Sequence, residues 1–162
     1  MARCRLFLVS IMCVGLLVPL ASLAGEPVDA AHQPSASEKG RQPFQKGLFV
    51  SSLNTPMALF TVPAKKRLVV EFFSAEAAVP AGETMSRFFL FTHKAGSPVG
   101  LSEFTHFIGP SSHGPSFGQE VFLASQQLRM YVKAGDELGV NAVGDGTGGA
   151  FMSVSGYLQD VR

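Results

Sequence analysis

The chain has 162 residues, with 13 Lys and Arg against 12 Asp and Glu, for a formal charge of +1. So even a balance leaves no electrostatic footprint for nucleic acid or an anionic membrane surface. Both cysteines, Cys4 and Cys13, lie in the N-terminal apolar segment; the rest of the chain therefore excludes disulfides, a catalytic thiol and a thiolate metal site.

Arg3 and Arg5 precede an apolar run from Leu6 to Leu20, and Ala21-Ser22-Leu23-Ala24 offers small residues for cleavage. Residues 1–24 read as a secretory signal peptide, which places the protein in the periplasm or outside the cell. Without Arg3 and Arg5 the formal charge falls from +1 to −1. No later apolar run is long enough to span a bilayer, so no membrane span is expected after cleavage. Residues 25–43 are polar, small and aperiodic, and predict a disordered linker.

From Phe44 the composition changes. Every phenylalanine except Phe7 lies from there on, interleaved with valine, leucine and glycine. Residues 44–162 predict one domain with a core able to hold it without covalent staples. Strands are expected over Lys46–Leu53, Met57–Val62, Arg67–Ala75, Ser86–His93, Leu101–Ile108, Gly118–Ala124, Leu128–Val132, Leu138–Val143 and Ala150–Val161. Arg67–Ala75 is apolar on both faces and reads as a central strand, interrupted by Glu71. Gly109 to Pro115 reads as a loop. No stretch of ten residues keeps a helical period. Short strands at this spacing predict an all-β, antiparallel β-sandwich of jelly-roll type with eight to ten strands.

One pattern recurs. Val62-Pro-Ala, Val79-Pro-Ala and Val132-Lys-Ala are each followed by polar or glycine positions and then an apolar residue. Proline restricts φ and glycine takes the φ > 0 corner, so each copy predicts a turn between two strands. In Leu128–Lys133 the alternation puts Leu128, Met130 and Val132 on one face, with Arg129, Tyr131 and Lys133 on the other.

Several constellations bear on chemistry. His93, His106 and His113, with Glu103, could supply a metal shell, but their spacing matches no ligand motif. No serine sits in a Gly-x-Ser-x-Gly elbow. Glu71 is a carboxylate in an apolar strand, best explained by pairing with Arg67, Arg87 or Arg129. The run Asn141 to Gly149 offers oxygens from Asn141, Asp145 and Thr147 on glycine-rich backbone, yet lacks the charge of a calcium loop. It also lacks the lysine and following helix of a phosphate loop. No cofactor is expected. His113, Asn141, Asp145 and Thr147 are the candidate ligand-binding residues, and 109–116 and 144–149 are the candidate binding loops.

The run Thr61 to Ala75, the later Val79-Pro-Ala-Gly82, Phe122 to Tyr131 and the terminal Ser155-Gly-Tyr-Leu-Gln-Asp-Val161 resemble a group of small exported bacterial proteins of uncharacterised function. Those read V-P-A-G-K-R-L-V-I-E near the middle and G-Y-L-V-D near the end. The likeness covers Phe49–Val161 and departs at Lys65, where glycine is usual. It implies an exported bacterial β-sandwich and carries over no functional residue. The function expected is non-catalytic: binding of a surface, glycan or protein partner through end loops. The alternative is a structural protein that oligomerises through a phenylalanine-bearing sheet face, and a metal-dependent or hydrolytic enzyme stands third.

Overall fold

The computed structural model describes residues 40–98 and 102–161. The signal segment 1–24 and residues 25–39 of the linker lie outside them. The described chain forms nine strands: β1 (Arg41–Val50), β2 (Met57–Thr61), β3 (Lys66–Pro80), β4 (Met85–Lys94), β5 (Phe104–Ile108), β6 (Ser111–Ser116), β7 (Gln119–Val132), β8 (Asp136–Gly144) and β9 (Gly149–Asp160). They make a five-stranded sheet, β1-β9-β3-β7-β6, and a four-stranded sheet, β2-β8-β4-β5. Every pairing is antiparallel. Among the described residues no helix is long and apolar enough to cross a membrane.

The pairing is nested: β1 with β9, β2 with β8, β3 with β7, and β4 with β5. A long hairpin has been folded over so that successive pairs fall in alternate sheets, and β3–β9 and β4–β8 zip each sheet shut. This is the jelly roll expected from the sequence. The core lies between the sheets, with Leu68, Val70, Phe73 and Val79 of β3 and Met152 and Val154 of β9 on one side and Phe88 and Leu90 of β4 and Leu138 and Val140 of β8 on the other. Burying a phenylalanine such as Phe73 or Phe88, both fully enclosed, contributes about 1.5–3 kcal/mol.

β3 is the middle strand of its sheet, as its two-faced apolarity implied. It is longer than expected, running past Ala75 to Pro80. A register shift between Val70 and Phe72 occurs against both β7 and β9. This bulge holds Glu71 and Phe72 on the outer side and returns Phe73 to the core, so the carboxylate that breaks the apolar run sits where the strand itself breaks register.

The recurring turn is built as its sequence suggests. Val62, Val79 and Val132 are buried, as are the apolar residues that close each copy, Leu68, Met85 and Leu138. Between them Lys66 N–H donates to Pro63 O, Glu83 N–H to Pro80 O and Asp136 N–H to Lys133 O, each at 3.1 Å. The third corner has φ +86° at Gly82 and +81° at Gly135, and +63° at Lys65. The lysine that departs from the resembled pattern therefore occupies a left-handed position that suits glycine.

Three expectations are corrected. β1 begins at Arg41, so the end of the predicted linker, 41–43, belongs to the sheet. The predicted loop 109–115 contains β6, which pairs with β7 along Ser111–Ser116. Gly118–Ala124 and Leu128–Val132 are one strand, β7, because Ser125, Gln126 and Gln127 hold register with β3 despite their polarity.

Candidate functional site

The sequence-predicted residues are placed apart. His113 is exposed on β6, the outermost strand of the five-stranded sheet. Asn141 is buried in β8 of the other sheet, directly opposite Phe89. Core-facing Leu90 and Val140 are the neighbouring pair, so Asn141 lies on the outer face. Its Oδ1 has no partner among the described residues. Asp145 and Thr147 are exposed in the β8–β9 turn.

That turn is fastened. Thr84 Oγ1 donates to Asp145 Oδ2 at 2.7 Å, and Asp145 N–H donates to Thr84 O at 2.9 Å. Asn54 reaches across from the β1–β2 loop, its Nδ2 donating to Gly144 O at 2.9 Å. Gly146 has φ +67°, and a Cβ there would strike the Glu83 carboxylate. One of the oxygens singled out for a ligand, Asp145 Oδ2, is thus engaged in fastening the turn.

The histidines do not converge either. Among the described residues no three His, Cys, Asp or Glu side chains gather to hold a metal. His93 is buried on β4 beside Phe91, with their rings stacked at 5.7 Å. Its Nε2 lies 3.2 Å from Glu137 Oε2, but the direction is wrong for a hydrogen bond and the nitrogen is left without one. Around it, the outer face of the four-stranded sheet is aromatic. Phe89 packs on Phe91 and Phe107, and Gly139 leaves room for the Phe91 ring to lie over the sheet.

The third histidine lines a cleft at the side of the sandwich. His106 is on β5 opposite Leu90, so it turns toward the inside of the sandwich at its open side. There β5 faces the far half of β7, and a cleft of about 490 Å³ lies between them, lined by Arg67, Phe104, His106, Arg129, Tyr131 and Lys133 among others. The strand geometry explains the lining. β6 pairs with β7 only from Gln119 to Leu123, leaving Ala124–Val132 without a neighbour on that side among the described residues. Alternation then brings Arg129, Tyr131 and Lys133 to the rim.

The electrostatics of the cleft are one-sided but not bare. Glu71 Oε1 lies 3.8 Å from Arg129 Nη2, and Glu103 Oε2 lies 3.9 Å from Lys133 Nζ. Both separations exceed a hydrogen bond, and exposed pairs of this kind contribute about 0–1 kcal/mol. Arg67 stacks over Tyr131 at 5.1 Å and donates through Nη2 to Gln159 Oε1 at 3.2 Å. Its Nε is buried without a partner among the described residues, and so is His106 Nε2. Two unpaired buried nitrogens therefore share a cleft with two loosely held cations.

Sequence reading identified the exposed face Arg129, Tyr131 and Lys133 but not the cleft. Arg67, His106 and Arg129 come from three strands that meet only through the nested pairing, and no local spacing announces them.

No family model matches the chain, and no curated protein does. Among solved structures the chain is similar to one from work stating that Bacillus endospore appendages form a novel family of disulfide-linked pili. The identity is 11%, the TM-score 0.29, and the match covers 75% of this chain and 91% of that chain. At that level the likeness carries no functional argument.

Proposed function

We propose that the protein is an exported, non-catalytic binding module, and that it holds an acidic ligand in the cleft between β5 and β7. The export part rests on the signal-like segment 1–24. The binding part rests on one observation: Arg67 and His106, whose Nε and Nε2 are buried with no partner among the described residues, line the same cleft as Arg129 and Lys133. An unpaired buried polar group costs about 1–3 kcal/mol. A ligand oxygen would relieve that cost at Arg67, whose guanidinium can only donate. Carboxylate, sulfate and phosphate oxygens all satisfy such donors through charge-assisted hydrogen bonds. Tyr131 and Phe104, at 49% and 61% exposure, supply apolar contact at the rim.

This reading moves the site from the loops at 109–116 and 144–149 to the side of the sandwich. It is tested by calorimetric titration of the purified chain with polyglutamate and with dextran sulfate, at low and at high salt. Binding is expected at low salt, weakened as salt screens the cations. It should be lost in the double variant Arg129→Glu/Lys133→Glu. Should neither anion bind, or should the reversed variant bind as well as the parent, the cleft is not the site.

A second reading, assembly, is favoured by a separate surface. Phe49 and Phe151 stand opposite each other across β1 and β9, on the outer face of the five-stranded sheet, at 63% and 54% exposure. Paired exposed aromatics of this kind suit a contact between copies. A Phe49→Ser/Phe151→Ser variant that elutes at the same size as the parent in sizing chromatography would remove this reading.

A further inference from the structure

We infer that the ligand of the cleft is an extended acidic polypeptide segment, which adds as a further strand along the free edge of β5. The inference rests on the reading of the cleft as an anion site, and goes beyond it by naming the partner.

An edge strand presents a row of unpaired N–H and C=O groups, and proteins guard such edges with charges, proline or bulges. The edges of this sandwich differ in that respect. β1 carries Arg41, Pro43 and Lys46. β6 carries Pro115 and a register shift between Ser112 and Gly114. β2 has a register shift between Ala58 and Phe60. The open half of β7 carries Arg129 and is opposed by the β3 bulge. β5 reads Phe-Thr-His-Phe-Ile, holds unbroken register with β4, and has no charge, proline or bulge. Among the described residues its shortness is its only guard.

That unguarded edge is also the one bordering the cationic cleft. Phe104 and His106 turn toward the cleft side, while Thr105 and Phe107 pair with Phe91 and Phe89 on the outer face. A strand laid beside β5 would repeat this alternation, because side chains in a strand have a period of two. Its residues level with Phe104 and His106 would meet Arg129, Lys133 and the unpaired nitrogens, and would be Asp or Glu. Those level with Thr105 and Phe107 would meet Phe107, which is 61% exposed, and would be apolar. Strand addition of this kind draws affinity from main-chain hydrogen bonds and specificity from alternate side chains. An acidic polysaccharide has the charges but no peptide groups to pair with the edge.

The test uses the ¹⁵N-labelled full chain and a blocked peptide of alternating glutamate and valine. Two further peptides carry N-methyl groups, one on the glutamates and one on the valines, so that each loses one of the two rows of N–H donors. One methylated peptide should bind at least about tenfold more weakly than the parent peptide, a change of about 1.4 kcal/mol, while the other binds unchanged. Amide hydrogens of 104–108 should become protected from exchange in the complex. If all three peptides bind alike, or dextran sulfate binds as tightly as the parent peptide, the cleft takes anions but not a strand. If no anion binds at all, the anion site itself is wrong and this inference falls with it. Protection of 104–108 in the free chain that rises with protein concentration would mean that a second copy occupies the edge, which also overturns the proposal.

Discussion

The β8–β9 turn and the β5–β7 cleft both collect polar side chains, and they treat them in opposite ways. In the turn Asp145 Oδ2 accepts from Thr84, side chain to side chain, and Asn54 ties down the neighbouring Gly144, although Glu83 Oε2 beside them is left without a partner among the described residues. In the cleft Arg67 Nε and His106 Nε2 have no partner among the described residues. Unpaired polarity also occurs at His93 and Asn141, so it marks a candidate site only where it coincides with a cleft and loosely held charges. The comparison predicts effects of opposite sign, since removing a polar group should destabilise the turn and stabilise the cleft.

The largest effect is expected in the turn. Gly146→Ala places a Cβ against the Glu83 carboxylate at a backbone angle of +67°. The left-handed conformation alone costs an L-residue about 1–2 kcal/mol, so urea unfolding should show a loss of about 2 kcal/mol, with anion affinity unchanged. His106→Leu is the counterpart in the cleft. It removes a buried nitrogen that has no partner while keeping an apolar side chain of similar reach. Stability should rise by about 1 kcal/mol, the low end of the penalty for such a group, and anion binding should weaken. A loss of stability in that variant would mean the imidazole is satisfied after all, and the contrast would collapse. Asp145→Ala follows. It deletes the acceptor of the 2.7 Å Thr84 bond, and about 1 kcal/mol should be lost, again without change in binding.

How far the sequence foretold the molecule follows the same division between local and distant information. Strand positions were legible where alternation and turn chemistry were written locally, as at Val62, Val79 and Val132, whose burial sets each turn against the core. β6 escaped notice because Ser-Ser-His-Gly-Pro-Ser carries loop composition, and it becomes a strand only because β7 offers it an edge. Ser125, Gln126 and Gln127 misled in the same way, being polar residues carried through a strand by their neighbours in β3. Lys65 was visible as a departure from the resembled pattern, but its cost was not, since the sequence does not print φ. The structure places it at +63°, so Lys65→Gly should raise stability by about 1 kcal/mol, the strain relieved being partly offset by the freedom glycine gains when unfolded. The candidate site was the least legible part. Its members gather only after β3, β5 and β7 have met, and what distinguishes them, a missing partner, is a property of the fold.

The smallest expected effect bears most directly on whether the cleft's cations are free. Glu71 sits in the β3 bulge and approaches Arg129 at 3.8 Å, with side chains 42% and 65% exposed. If that pair were strong, Arg129 would be occupied and the cleft would be no more cationic than the turn is open. Glu71→Gln keeps the shape and removes the charge. Exposed pairs contribute about 0.2–1 kcal/mol, and at this separation the low end applies, so stability should change by no more than a few tenths. Anion affinity should rise slightly, because the carboxylate that competes for Arg129 is gone. A drop of more than about 1 kcal/mol in unfolding free energy would show instead that Arg129 is held by Glu71, leaving Lys133 as the only loosely held cation at the rim.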